Sequence, residues 1–334
     1  MARFRSITVT FLKATITVSV IVLLIGKLGW EDIINTVSEA KLFWLFAATG
    51  IFAASGFIGV IQWRILLSNR GISLTFWRTF RLYFIGMFFN NFVLGGIVGD
   101  AMKVASIKTR NGQGLAGLAA TFLDRFAGLW AMCGFAVAGS IILLHRGTLS
   151  DGKIGTAILA LFVTFLLFGA ILFFLLSKPL QRFFFRCCDA FVLARKIRIK
   201  EVISEMLIEM HDYGVLFKVA LFSTVIQFMR IAVHAMVAAS LGLFSIGNFQ
   251  YFFIFVPIIA MIMIIPLPFG VRETVGGALF AMAGFPLDAA FVMGFLATLV
   301  GLAASFLGGL FFIADKGFLS GRKNEKNFDC YSAS

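Results

Sequence analysis

Long apolar runs alternate with short polar connections along this chain. The runs fall at about 7–26, 42–67, 82–98, 115–144, 154–177, 215–242, 249–267, 274–285 and 287–314. Roughly 20 apolar residues in helical form cross a bilayer core of about 30 Å, so the longer runs predict membrane-spanning helices. One long polar stretch interrupts them at 178–214. Within it Glu201, Glu205 and Glu209 are interleaved with Val202, Met206, Ile208 and Met210, which predicts an amphipathic helix lying on the membrane surface.

The basic residues orient these elements, because Lys and Arg accumulate on the cytoplasmic side. Arg3, Arg5 and Lys13 assign the N-terminus to the cytoplasm, and Lys178, Arg182, Arg186, Arg195, Lys196, Arg198 and Lys200 assign the polar segment there too. Lys316, Arg322, Lys323 and Lys326 do the same for the C-terminus, while 27–41, with Glu31, Asp32 and Glu39, belongs outside. A full crossing by 82–98 would put Lys103, Lys108 and Arg110 outside, together with 178–214. A re-entrant hairpin over 82–110 removes both conflicts, and Asn90, Asn91, Gly95, Gly96 and Gly99 interrupt the run where its tip would fall. By the same reasoning 249–285 enters from outside and leaves to the outside, broken at Pro266, Pro268 and Gly270, where proline and glycine end helices.

The expected fold class is an all-α polytopic membrane protein, with six full spans and two oppositely directed re-entrant hairpins in an inverted repeat. Residues 7–144 form the first repeat and 154–314 the second, with a cytoplasmic amphipathic segment at 178–214 and a basic cytoplasmic tail at 315–334. Broken helices meeting near the midplane of inverted repeats are a recurring transporter plan.

Composition excludes the soluble alternatives. The chain has 334 residues, 60% of them hydrophobic and only 13% charged, with 42 phenylalanines. A mean hydropathy of +0.98 leaves too little charge to cover a soluble surface. The net charge of +13 raises a nucleic-acid reading. The basic residues, however, sit between apolar runs as anchors to anionic headgroups, and no soluble module is available to present a basic patch. Cys133, Cys187, Cys188 and Cys330 form neither a CxxC nor a Cys/His cluster, so no metal site, cofactor or disulfide framework is expected. Met1 to Lys13 has the basic flank of a signal peptide, but no small-residue cleavage site follows, and the first helix is expected to be retained.

Polar residues inside apolar runs carry the candidate chemistry. Around Gly95, Gly96, Gly99, Asp100 and Lys103, glycines permit tight turning. Asp100 is positioned to N-cap the returning half-helix, whose N-terminus favours an anion such as phosphate. A plain tight turn accounts for the same residues. Asp124 and Arg125 lie about 13 Å into their span, at a depth where ionised groups face a partner or a wet cavity. Gln227, Arg230 and His234 are spaced i, i+3, i+7 and share a helix face. Arg230 stays charged near the middle of its run and requires a carboxylate, carbonyls, water or a lipid phosphate. His234 also reads as a helix-packing histidine. Arg272 and Glu273 fall where the second hairpin's returning half-helix starts, and suit either a cavity-facing pair or a cap with an ion pair to Asp124 or Asp100.

Taken together, Asn91, Gly95-Gly96-Ile97-Val98-Gly99-Asp100, Leu123-Asp124-Arg125 with Gly128-Leu129, and Gly270-Val271-Arg272-Glu273 resemble the motifs of the lysylphosphatidylglycerol synthase transmembrane-region family of flippase-like integral membrane proteins. The resemblance runs from about 10 to 315. Two positions depart from the family pattern: Leu94 stands where a proline is usual and Phe269 where a glycine is usual. The resemblance implies a translocating membrane domain that moves a phospholipid or lipid-linked saccharide between leaflets. It does not imply the aminoacyl-transfer activity of the bifunctional members, whose soluble C-terminal domain has no counterpart in these residues.

Three functions fit. The leading one is a flippase of the plasma (bacterial inner) membrane, not an enzyme, whose substrate-binding residues are Asn91, Gly95, Gly96, Gly99, Asp100, Lys103, Asp124, Arg125, Gln227, Arg230, His234, Arg272 and Glu273. The stretch from Gly95 to Lys103 with Arg125, Arg230 and Arg272 would neutralise an anionic headgroup phosphate, while Asp124 and Glu273 would orient the arginines or accept a cationic headgroup. The runner-up is a glycosyltransferase or headgroup transferase on a polyprenyl-phosphate lipid. Its case is weakened by short outer loops, the lack of a DxD pair and only 16 acidic residues. The third is a non-transporting lipid-binding scaffold. No GxxxxGK[ST] loop for ATP occurs. A lipid-biosynthesis enzyme and a second copy of the chain remain open as partners.

Overall fold

The computed structural model describes residues 35–92, 98–111, 113–145, 152–177, 179–180, 212–262 and 271–314. The run at 7–26, most of the segment at 178–214, the tail at 315–334, Gly95 and Gly96 lie outside the described residues.

Helices account for nearly all of what is described. They are α1 (Leu42–Asn69), α2 (Phe76–Phe92), α3 (Val98–Asn111), α4 (Gly114–His145), α5 (Gly152–Leu176), α6 (Tyr213–Ser240), α7 (Phe249–Ile262), α8 (Val271–Met282) and α9 (Leu287–Ala314). Among the described residues, four helices are long and apolar enough to cross a membrane: α1, α4, α6 and α9. Large apolar side chains face outward, including Phe43, Phe46, Leu167, Phe173, Phe217 and Ile313. Exposure on that scale costs a soluble protein dearly and costs nothing against lipid tails. The chain is an all-α membrane protein.

Helices α2 and α3, of 17 and 14 residues, are too short to cross a 30 Å core at about 1.5 Å per residue. They run antiparallel. Gly86 meets Gly99, the Asn90 side-chain oxygen accepts the Gly99 N–H at 2.8 Å, and the Lys103 ammonium lies 4.8 Å from the centre of the Tyr83 ring. A methyl group on Gly99 would land on the Gly86 carbonyl and on Asn90, so only glycine permits this crossing. Helices α7 and α8, of 14 and 12 residues, form a second antiparallel pair, joined through Phe252, Phe255 and Phe280.

The packing of α1 to α4 mirrors that of α6 to α9. Helices α1 and α6 lie against each other; α2 packs on α9 as α7 packs on α4; α3 packs on α4 as α8 packs on α9. Small residues admit the close approaches: Gly308 of α9 receives the backbone of α2 at Phe84, and Gly139 of α4 receives α7 at Gln250 and Phe253. This is how helices associate where no hydrophobic drive separates them from lipid. The ends of α1 and α6 also match. Each helix is 28 residues long, and each is followed by a glycine with φ of 71°, Gly71 and Gly242. Ile72 N–H donates to the Leu67 carbonyl at 3.0 Å, and Leu243 N–H to that of Ala238 at 2.9 Å. Both are Schellman caps, in which the left-handed glycine satisfies the last carbonyls.

Candidate functional site

Five helices converge on one polar cluster. From α3, Asp100 reaches sideways rather than back along its own helix. Because α3 starts at Val98, Asp100 stands inside its first turn and is not the N-cap that the sequence suggests. Its carboxylate takes the Lys103 ammonium at 2.9 Å and two bonds from Arg125 of α4, Nε at 2.7 Å and Nη2 at 3.1 Å. That two-pronged geometry is the strong form of an arginine–carboxylate contact. Asn90 of α2 sits beside it, its amide 3.5 Å from the same carboxylate.

Lys103 is 3% exposed. Its ammonium is bounded by the carboxylate and by two ring faces, Tyr83 at 4.8 Å and Trp63 at 5.3 Å, whose quadrupoles attract a cation. The Trp63 indole N–H is itself held by the Thr121 hydroxyl at 3.3 Å. Asp124 faces the other helix pair. The Gln62 amide of α1 donates to it at 3.0 Å, and the Ser223 hydroxyl of α6 donates to the Gln62 oxygen at 3.2 Å. The relay ties α4, α1 and α6 together where the two halves meet. Orienting Arg125 is thus the work of Asp100, and Asp124 is positioned by Gln62.

Arg230 sits beside this network. Its guanidinium carbon lies 6.0 Å from the centre of the Phe52 ring, and its Nε is buried with no hydrogen-bond partner among the described residues. The charges of Asp124, Asp100 and Arg125 all act on it. Gln227 is buried against Gly128 of α4, and its Oε1 also has no partner among the described residues.

The shared face of Gln227, Arg230 and His234 meets different surroundings along its length. The His234 Nδ1 bonds the Arg230 carbonyl at 3.0 Å, and the ring faces a small cavity in the second half that Glu273 also lines. Glu273 stands in the first turn of α8, 2% exposed, and its Oε1 accepts from the Thr298 hydroxyl of α9 at 2.6 Å. Arg272 belongs to α8, and its side chain lies outside the described residues. Asn91 faces α9, donating to the Gly301 carbonyl and the Ser305 hydroxyl, each at 3.2 Å. Gly99 lies in the contact between α2 and α3. The candidate residues therefore divide among a charged cluster, a small cavity and a helix staple.

Sequence reasoning passed over Gln62, Trp63, Tyr83, Thr121, Ser223 and Thr298. A glutamine at 62 inside an apolar run was the available signal for the relay. Among the described residues no group of His, Cys, Asp and Glu side chains could hold a metal ion.

Comparison with curated proteins gives no match. Comparison with solved structures gives none either. The family model described as the lysylphosphatidylglycerol synthase TM region matches residues 10–309, and the chain belongs to that family.

Proposed function

We propose that the protein is a flippase-like transporter of the plasma (bacterial inner) membrane, moving a phospholipid or lipid-linked saccharide between leaflets. Its charged cluster takes the headgroup while the tails stay in the surrounding lipid. The observation that carries this reading is Arg230. A permanently charged guanidinium in the middle of a membrane helix is normally met by a partner, and the buried Nε of Arg230 has none among the described residues. Three cations, Lys103, Arg125 and Arg230, gather around two carboxylates, Asp100 and Asp124. The excess positive charge suits a phosphate, whose oxygens would replace lost water as acceptors for that N–H.

The finer architecture belongs to this proposal. Six full spans and two oppositely directed re-entrant hairpins in an inverted repeat, both termini cytoplasmic, are supported by the short antiparallel helix pairs and by the mirrored packing of the halves. An inverted repeat can rock about a fixed central site to expose it to each leaflet in turn.

The test is reconstitution in liposomes with a leaflet-specific lipid reporter. Arg230→Ala is expected to abolish translocation while the protein remains inserted and monodisperse. Undiminished transport in that variant removes Arg230 from the site. A chemically altered lipid in the wild-type sample would instead favour the transferase reading, and binding without either outcome would favour a scaffold.

A further inference from the structure

Arg230 and Gln227 each bury one polar atom that nothing among the described residues meets, and the two atoms are of opposite kind. The Arg230 Nε–H is a donor, and the Gln227 Oε1 is an acceptor. Three residues apart on α6, the two side chains are neighbours on one helix face. Gln227 is 6% exposed. A buried donor or acceptor left unbonded is costly, and one of each kind side by side makes half of a binding site.

The hydrogen bonds around Gln227 show why its own helix does not serve it. Two hydroxyls stand one turn before it on α6, and a hydroxyl has one hydrogen to give. Ser223 gives its hydrogen to the Gln62 oxygen at 3.2 Å, and Thr224 gives its own to the Ala220 carbonyl at 2.8 Å. Gln62 in turn donates its amide to Asp124 at 3.0 Å. Across the interface α4 offers Gly128, one turn beyond Asp124, with no side chain to donate. A methyl group there would lie 2.5 Å from the Gln227 amide nitrogen, so glycine is what lets Gln227 lie against α4. A glutamine amide can turn end for end, and the neighbouring Arg230 cation favours the oxygen on its side.

A lipid phosphodiester answers only half of this pair. Its oxygens accept, so they satisfy Arg230 and offer Gln227 nothing. Gln227 requires a hydroxyl or an N–H on the group beyond the phosphate. Charge chooses between them: Lys103, Arg125 and Arg230 already outnumber Asp100 and Asp124, and a further ammonium would be repelled. We propose that Gln227 is a specificity-determining residue that selects lipids whose headgroup phosphate is followed by a neutral hydroxyl, the chemistry shared by glycerol headgroups and phosphate-linked sugars. This rests on the flippase reading, with Arg230 taking the phosphate. A phosphate oxygen accepts from the Arg230 Nε while the hydroxyl donates to the Gln227 Oε1, and no covalent bond changes.

The test uses proteoliposomes and tail-labelled reporters with identical acyl chains. Phosphatidylglycerol carries the hydroxyl, phosphatidylmethanol keeps the phosphate charge without it, and phosphatidylethanolamine offers an ammonium. Phosphatidylglycerol is expected to cross about three- to tenfold faster than phosphatidylmethanol, the effect of one neutral hydrogen bond, and faster than phosphatidylethanolamine. Gln227→Met is expected to bring the glycerol and methyl headgroups to one rate. Gly128→Ala, which pushes aside the flexible end of Gln227, should do the same and decides the matter if Gln227→Met does not fold. A polyprenyl phosphate sugar run beside phosphatidylglycerol separates the two sources, the faster being the class that the site serves. Equal rates for the glycerol and methyl headgroups in wild type, or a preference that survives both variants, overturn the role of Gln227 and leave the flippase reading standing. Phosphatidylethanolamine crossing as fast as phosphatidylglycerol overturns the choice of hydroxyl over ammonium. If no reporter crosses, the flippase reading falls, and native mass spectrometry of the detergent-purified protein decides recognition alone. Tighter retention of phosphatidylglycerol than of phosphatidylmethanol, lost in Gln227→Met, upholds it, and equal retention overturns it.

Discussion

Asp100→Asn cuts the charged cluster at its centre, and its cost depends on how differently the two cations are solvated. Lys103 is 3% exposed and Asp100 15%, whereas the Arg125 side chain is 43% exposed. Losing the carboxylate leaves the buried ammonium with two aromatic faces and a repelling guanidinium. Breaking a buried pair from one side costs about 3–5 kcal/mol, while Arg125 turns partly to water or headgroups and adds less than about 1 kcal/mol. Lys103→Met is milder. Asp100 keeps both bonds from Arg125, and the methionine thioether fits between Trp63 and Tyr83, so the loss is about 1–2 kcal/mol. The double variant should then be more stable than Asp100→Asn alone, by roughly 2 kcal/mol, because the uncompensated charge is gone. Reversible unfolding of the purified protein in mixed micelles, followed by tryptophan fluorescence, measures all three. A double variant no more stable than Asp100→Asn would mean that Lys103 is hydrated and that the aromatic enclosure has been misjudged.

Gly308→Ala would drive a methyl into the Phe84 carbonyl. Backbone cannot yield as a side-chain tip can, so a loss of about 1–3 kcal/mol is expected in the same titration. Gly134→Ala, with nothing within 4 Å of the added carbon, should be neutral or stabilising by about 0.5–1 kcal/mol. Gly71→Ala and Gly242→Ala also meet no neighbour within 4 Å. Each should cost about 1–2 kcal/mol through the left-handed backbone alone, and two clearly unequal losses would argue against equivalent caps.

Helix positions were legible in the sequence because each run is apolar to its ends and punctuated there. The run at 42–67 became Leu42–Asn69, and the run at 287–314 became Leu287–Ala314 with no shift. The expected breaks at Gly95 and Gly96 and at Pro266, Pro268 and Gly270 lie outside the described residues. The pairing of polar groups was not legible. Asp100 and Arg125 meet only because α3 turns back beside α4, and nothing local to either residue encodes that contact. Gln62 carries no periodic signal, and Trp63 and Tyr83 cannot be told from the many other aromatic residues until a cation is found against their faces. Gln227, Arg230 and His234 did share a face, as spacing required, but spacing is silent about which neighbours that face meets along its length.

The two halves share a scaffold and not a chemistry. Gly139 and Gly308 do the same job for the two short helix pairs, and the caps at Gly71 and Gly242 have the same backbone angle. The pair α2 and α3 nevertheless carries Asp100 and Lys103, while α7 and α8 carry Glu273 against Thr298. In the flippase reading, matched packing brings an inward-facing and an outward-facing arrangement close in energy, since each would be made by exchanging the roles of the halves. A lipid would then move only as far as its own gradient allows. Unequal polar groups then decide what the path accepts rather than which way it runs. The Asp100 carboxylate gathers Lys103 and Arg125 beside α2 and α3, while the Glu273 carboxyl takes the Thr298 hydroxyl beside α7 and α8. In the flippase reading, symmetry supplies the path across the membrane, and the charged cluster supplies its selectivity for an anionic headgroup.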